Sequence, residues 1–180
     1  RYLRTKAAGE EIVRVSDLAF TVFRPSVIFG RRDGFLNRFA RLLKHTPGMF
    51  PLACPNARFQ PVYVDDVTRA FVQALGEYRT HEQTYTLCGP RVYTLQEIVE
   101  YLARLLHRKQ RIVGLNDTLS RLQATVAEFL PGKPFSRDNY ESLKLDSVCD
   151  GPNALTEVFG IQPPTPLEDV APSYLVRRGA

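Results

Sequence analysis

The sequence holds 180 residues, 44% of them apolar and 24% charged, with a formal net charge of +5 at pH 7. A chain of that size has room for one ordinary domain, which buries roughly 70% of the surface its unfolded form exposes. No apolar run approaches the ~18 residues a membrane-spanning helix needs, no segment is of low complexity, and none reads as a signal peptide.

The opening residues Tyr2-Leu3-Arg4-Thr5-Lys6 begin a helical pattern that runs through Ala7 to Val13, with Ile12 and Val13 as its apolar face, until Ser16-Asp17 breaks it. The chain does not start with Met and no capping residue precedes Tyr2, so a segment upstream of Arg1 is expected. Tyr2 and Lys6 lie one helical turn apart and can meet the same ligand. A phenol titrates near pH ~10, and a neighbouring ammonium favours the phenolate, which moves the group toward the range useful for acid and base catalysis.

Leu18 to Arg24 is rich in β-branched and aromatic residues, and Pro25 forces its predecessor into extended geometry, so a strand ends at Arg24-Pro25. In open parallel sheets ligands sit beyond the carboxyl ends of strands, which points to Pro25-Ser26-Val27 and the loop Gly30 to Gly34. Phe35, Phe39, Leu42 and Leu43 recur at helical spacing opposite Arg38, Arg41 and Lys44. Asp33 to Lys44 therefore reads as an amphipathic helix capped by Asp33 and closed by Pro47-Gly48. Phe59 to Val64 reads as a strand, followed by Asp65-Asp66 capping a helix whose apolar face is Val67, Ala70, Phe71, Ala74 and Leu75.

Thr84 to Gly89 is a third strand. Thr94 and Glu97 form a capping box opening a helix through Ile98, Tyr101, Leu102, Leu105 and Leu106, and Gln110 to Leu115 is a fourth strand. From Asn116 the pattern turns helical. One helix carries Leu119, Leu122, Val126, Phe129 and Leu130, Pro131 to Pro134 breaks it, and a shorter helix spans Ser136 to Leu143. Two short helical segments flank the breaker Gly160 to Pro164, forming a helical cap on an α/β sheet.

Three cysteines, Cys54, Cys88 and Cys149, are an odd number without Cys-x-x-Cys spacing, so neither a disulfide framework nor a zinc site is expected and a reducing compartment fits best. No metal is expected: the adjacent Asp65 and Asp66 diverge, and His45, His81 and His107 sit in polar surroundings read as solvated surface. Residues 1–50 hold ten basic against four acidic residues. That excess could attract nucleic acid, anionic lipid or a phosphorylated ligand, but no aromatic-and-basic motif accompanies it, so nucleic acid is not expected as a partner. Arg104, Arg108, Lys109 and Arg111 are accounted for by the helix dipole. Tyr140 and Lys144 repeat the Tyr-x-x-x-Lys spacing, but no strand with a ligand-facing end follows them, and they read as a surface helix pair.

Tyr2 to Lys6, then Arg24-Pro25-Ser26-Val27-Ile28-Phe29-Gly30, then Gln60 to Val67 together resemble the extended and atypical short-chain dehydrogenase/reductase superfamily. Tyr85 to Pro90, the capping box at Thr94, Phe159-Gly160-Ile161 and Thr165 to Glu168 are similar to one branch. That branch is the nucleotide-binding accessory subunit of respiratory complex I and its bacterial homologues, often labelled NAD-dependent epimerase/dehydratase. The resemblance implies the C-terminal part of a Rossmann-type doubly wound parallel sheet plus a smaller substrate-side domain. Residues 1–30 would be the last helix and strand of the cofactor domain, and residues 31–180 the substrate side with its helical tail. It implies NAD or NADP as cofactor, Tyr2 as general acid/base, and Lys6 as the group that holds the nicotinamide ribose and lowers the tyrosine pKa. Pro25, Ser26 and Val27 would neighbour the nicotinamide, and Arg31, Phe35, Gln60 and Tyr63 would face the substrate.

Two activities are compatible with the resemblance: hydride transfer at a carbonyl or alcohol carbon, as in an epimerase or dehydratase, or a non-catalytic dinucleotide-binding role in the respiratory complex. A redox-sensing nucleic-acid regulator is a weaker third. Partners would be a small-molecule substrate or respiratory subunits, with peripheral membrane association open. Location would be the cytoplasm in a bacterium or the mitochondrial matrix in a eukaryote. The family's Gly-x-x-Gly-x-x-Gly phosphate cradle is absent from the sequence, so this chain lacks the turn that cradles a dinucleotide's phosphates.

Overall fold

The computed structural model describes residues 2–127, 140–141 and 143–176, with side chains from Thr5 onward except at positions 124, 126 and 127. Helix α1 (Tyr2–Arg14) precedes strands β1 (Thr21–Pro25) and β2 (Ile28–Phe29), helix α2 (Leu36–His45), and strands β3 (Met49–Leu52), β4 (Arg58–Phe59) and β5 (Val62–Tyr63). Helix α3 (Val64–Leu75), β6 (Gln83–Leu87), β7 (Tyr93–Thr94), α4 (Leu95–Leu105), β8 (Arg111–Gly114), α5 (Asp117–Ala127), α6 (Ala154–Glu157) and α7 (Leu167–Leu175) follow. The pairs β1–β6, β2–β5 and β3–β8 are parallel, and β4–β7 is antiparallel. Strands joined through helices are the arrangement expected of an α/β fold.

Two clusters of buried side chains hold these elements. In one, Val67, Ala70 and Ala74 of α3 meet Leu87 of β6 and Leu155, Phe159 and Ile161 of the tail, with Phe23 of β1 packed alongside. The rings of Phe23 and Phe71 stack with centroids 4.2 Å apart. In the other, Leu36, Ala40 and Leu43 of α2 pack with Leu95, Ile98, Val99 and Leu102 of α4, and α7 adds Leu167, Ala171 and Leu175. The capping box is present as expected: Thr94 Oγ1 accepts from Glu97 N at 3.1 Å, while Glu97 accepts from Thr94 N at 2.7 Å. Helices α6 and α7 flank the Gly160 to Pro164 breaker, also as expected.

Several expectations are corrected. The Phe59 to Val64 strand is two short strands, because Gln60-Pro61 leaves the antiparallel ladder with β7 before Val62 joins the parallel ladder with β2. Asp65 and Asp66 lie in the first turn of α3 rather than at its cap, which is Tyr63. Asp66 is buried and accepts from Thr165 N at 2.7 Å, so its carboxylate anchors the tail instead. Phe71 and Leu75 stand 47% and 87% exposed rather than on the buried face of α3. Asp33 does serve the start of α2, accepting from Phe35 N at 2.8 Å and Asn37 N at 3.2 Å, from two residues ahead of the cap position. The expected break at residues 131–134 and the start of the following helix, residues 136–139, lie outside the described residues.

Cys88 and Cys149 form a disulfide with Cα atoms 6.0 Å apart, so only Cys54 is free. Sequence separation hid this, since 61 residues part the two thiols and only the folded chain brings them together. Tyr140 is no surface residue: it is 2% exposed and its hydroxyl donates to Asp117. Lys144 sits 4.6 Å from its ring centroid and 3.6 Å from the same carboxylate.

Candidate functional site at the carboxyl ends of the strands

Pro25 of β1 registers with Leu87 of β6, which sets the carboxyl ends of the two strands side by side. Ser26 N donates to Leu87 O at 2.9 Å, and Val62 N donates to Val27 O at 3.0 Å, so Pro25-Ser26-Val27 forms a rim shared by β1, β6 and β5. Pro25 and Val27 are half-buried, and Ser26 is 8% exposed. Helix α1 is pinned next to this rim. Glu10 bonds Arg24 of β1 at 2.7 Å and Arg14 at 2.7 Å, and Arg14 also donates to Thr84 of β6. The Arg24 and then the Arg14 guanidinium hold the Glu10 carboxyl below its ordinary range. Lys6 is exposed on this helix, one turn from the Tyr2 backbone. The side chain of Tyr2 lies outside the described residues.

A segment from Asp146 to Asn153 lies along the rim. Ser26 Oγ donates to Ser147 O and lies 3.1 Å from Ser147 Oγ. Ser147 N donates to Arg58 O at 2.8 Å, and Gln60 N donates to Ser147 O at 2.9 Å, so the segment adds a parallel bridge at Phe59. Gln60 joins three pieces of chain: its Nε2 donates to Gly89 O at 2.8 Å, and its Oε1 accepts from Cys149 N at 3.0 Å. Asn153 Nδ2 donates to Cys88 O at 2.6 Å, and its Oδ1 accepts from Cys88 N at 3.2 Å. Arg58 and Asp146 pair at 2.7 Å, and that guanidinium holds the carboxyl low. The disulfide fastens the same segment covalently to the end of β6.

Sequence reasoning missed Asn153, Ser147 and the disulfide. For Asn153 a signal existed: it follows Gly151-Pro152 and caps α6, accepting from Leu155 N at 3.2 Å. Gly89 is required where it stands, because a Cβ there would lie 1.8 Å from Pro61 O.

Of the residues nominated for a ligand, the structure gathers Pro25, Ser26, Val27, Gln60 and Tyr63 around the rim, with Lys6 on the helix pinned beside it. Phe35 is elsewhere in character: its ring packs 5.4 Å from Phe39 and 5.3 Å from Phe59, in the second core. The Tyr63 ring lies 5.5 Å from Phe29, and its bond to Asp65, followed by burial, pushes the phenol up. Arg31 is exposed on the loop after β2. A separate cavity of about 340 Å³ is lined by Cys54, Asn56, Asn116, Asp117, Ser120 and Lys144 among others. Burial pushes the Cys54 thiol up there, away from a reactive thiolate. Among the described residues no group of three or more His, Cys, Asp or Glu is placed to hold a metal ion.

Parallel strands linked by helices, with a rim of convergent loops at their carboxyl ends, define a Rossmann-like α/β protein. Residues 2–105 match the 3-beta hydroxysteroid dehydrogenase/isomerase family, and the chain belongs to it. It is 35% identical over 159 residues to an Arabidopsis thaliana protein named NADH dehydrogenase [ubiquinone] 1 alpha subcomplex subunit 9, mitochondrial, covering 87% of this chain and 38% of that one. The Mus musculus protein of the same name is 33% identical over 169 residues, covering 92% of this chain and 44% of that one.

The chain thus spans less than half the length of these relatives. In fold it is similar to a dTDP-glucose 4,6-dehydratase from Streptomyces venezuelae solved with NAD and TYD, with a TM-score of 0.66 at 16% identity. That match covers 97% of this chain and 49% of that one. A UDP-glucuronic acid 4-epimerase from Bacillus cereus solved with UDP-glucuronic acid and NAD gives a TM-score of 0.62 at 16% identity, covering 96% of this chain and 51% of that one. The superfamily and branch that the sequence resembles are borne out.

Proposed function

We propose that this chain is the nicotinamide-side portion of an NAD- or NADP-binding accessory subunit of a respiratory NADH dehydrogenase. The observation that carries this reading is where the polar groups of the rim are engaged. Ser26, Gln60 and Asn153 bond the protein's own Asp146 to Asn153 segment and the end of β6, which makes the rim a rigid floor rather than a set of groups aimed at a substrate. Relatives carrying a respiratory-subunit name along about nine-tenths of the chain support the same reading.

The residues present fit the nicotinamide end of such a cofactor. An exposed ammonium at Lys6 suits ribose hydroxyls, and half-buried Pro25 and Val27 offer an apolar surface for a ring. Residues 1–30 belong to the cofactor side in this reading and residues 31–180 to the substrate side, where Arg31 and Tyr63 border the cleft. Respiratory subunits would be its partners, in the mitochondrial matrix of a eukaryote or on the cytoplasmic side in a bacterium. No described helix is long and apolar enough to cross a membrane.

A second reading, hydride transfer at a carbonyl or alcohol carbon, is favoured by Tyr2 and Lys6 standing one turn apart on α1. When bound, the nicotinamide would accept a hydride from an alcohol carbon or, reduced, give one to a carbonyl carbon, while Lys6 would favour the Tyr2 phenolate that takes the alcohol's proton in the first direction, the phenol returning it in the second. One experiment separates the readings in the protein at its natural full length. For an accessory subunit, Lys6→Ala releases bound dinucleotide and lowers the amount of assembled complex, while Tyr2→Phe changes neither. For an enzyme, Tyr2→Phe keeps the dinucleotide and abolishes turnover. Retention of both dinucleotide and assembly in Lys6→Ala refutes the proposal.

A further inference from the structure

The basic residues of this protein are not spread evenly, and six of them gather at one end of the molecule. Gln110 Nε2 donates to Leu43 O and, at 2.8 Å, to Thr46 O, which clamps the loop between α4 and β8 against the end of α2. Arg111 N donates to Gly48 O at 2.9 Å, and Arg111 registers with Met49 at the start of the β3–β8 pair. This brings together Arg41 and Lys44 of α2, Arg104 of α4, Arg108 and Lys109 of the following loop, and Arg111 of β8, all exposed. No Asp or Glu occurs from Gly34 to Val64 or from Tyr101 to Asn116. Among the described residues none of the six cations is in an ion pair. Without these six the chain would carry 18 basic against 19 acidic side chains.

Helix dipoles do not account for the cluster. Their influence fades within the last turn, which covers Lys44 and Arg104 but not Lys109 or Arg111. Next to the cations Met49 is 60% exposed, a flexible apolar side chain among charges. Cations surrounding an apolar tip match an anionic bilayer, whose headgroups take the charge while the apolar group enters the acyl boundary. Single-stranded nucleic acid fits less well, since it needs exposed rings to stack on, and here Phe50 is buried and Tyr101 half-buried. We propose that this end, built from the last turns of α2 and α4 and the starts of β3 and β8, docks on the anionic surface of a lipid bilayer.

The test is co-sedimentation of the full-length protein with vesicles of phosphatidylcholine alone and of equal parts phosphatidylcholine and phosphatidylglycerol. Binding is expected to the mixed vesicles only, and to fall as salt screens the headgroups. Each neutralised cation should weaken partitioning about fivefold, so Lys44→Gln/Arg108→Gln/Lys109→Gln together should weaken it about 100-fold. The corresponding triple Glu variant should not bind detectably. Matching thermal melts of wild type and variants establish that the fold survives, and the milder Gln set serves if the Glu set lowers the melt. Equal binding to uncharged vesicles, or binding insensitive to both triple variants, overturns the proposal. Displacement by glycerol 3-phosphate at constant ionic strength would instead reveal a small-phosphate site, and a salt-sensitive RNA shift without vesicle binding would reveal a nucleic-acid surface. Either result also overturns it.

Discussion

Gln60 is the side chain on which the closed rim most depends, and its replacement by Leu tests that directly. The two residues are similar in size, so little cavity forms, but Gly89 O and Cys149 N lose partners held at 2.8 and 3.0 Å. An unsatisfied buried group costs about 1–3 kcal/mol, and Gln60 is only half-buried, so two such groups sum to about 2–4 kcal/mol. The added apolar contact returns about 1 kcal/mol, leaving a net loss of about 2–3 kcal/mol. For a chain of this length that lowers the melting temperature by roughly 4–12 °C.

Gln60→Glu adds a second readout. Its carboxylate still accepts from Cys149 N but faces Gly89 O, so the folded state favours the protonated acid and raises its pKa above the unfolded value. That variant's stability is therefore highest below the unfolded pKa and declines as pH rises through the folded one. Urea unfolding followed by circular dichroism, near neutral pH and in mild acid, measures both effects. A Gln60→Leu loss under about 0.5 kcal/mol, the range of ordinary surface changes, would refute the role given to this residue.

Three further outcomes follow from the same geometry. Gly89→Ala forces a Cβ to within 1.8 Å of Pro61 O, so the backbone must shift and stability should fall by about 3 kcal/mol or more; a melt within a degree of wild type contradicts the close approach. Reducing Cys88–Cys149, which closes a loop across 61 residues, should cost about 4 kcal/mol in the chain-entropy account, read as a lower urea midpoint in dithiothreitol that Cys88→Ser/Cys149→Ser reproduces. Glu10 is held below its ordinary value of 4.5, so its contribution is full above the unfolded value and is lost as pH falls through the folded one. Glu10→Gln should accordingly flatten the acid limb of the stability profile, by less than about 1 kcal/mol because Arg24 is largely solvated.

Elements whose signals are local were legible in the sequence. The capping box at Thr94, the apolar stripe of α2 and the Pro25 strand end each depend on residues within a turn or two of one another. The misreadings share a different cause. Phe59 to Val64 has the composition of one strand, yet its first part pairs with β7 and its last with β2, which no local pattern distinguishes. Tyr140 reads as surface because its spacing to Lys144 suits an exposed helix face. Its hydroxyl instead meets Asp117, which lies 23 residues away. The disulfide likewise joins thiols with no local relation.

The same division runs through the candidate site. Tyr2 and Lys6 are adjacent on a helix, and Pro25 to Val27 end a strand, so periodicity and a proline place them at once. What lies on the rim is long-range. Ser26 meets Ser147 across 121 residues, and Gln60 meets Cys149 across 89. Polar residues at the end of a strand are compatible with ligand contact or with binding the chain itself, and composition does not separate the two. Here Ser26 and Gln60 both bind the chain, and in the proposed reading Lys6 and the apolar Pro25 and Val27 would border the ligand. A site of that kind can grip a flat ring and a sugar more readily than it can position a reacting carbonyl. Under the proposed function, tightness of dinucleotide binding, rather than rate of turnover, is therefore the property that the rim's own hydrogen bonds should control.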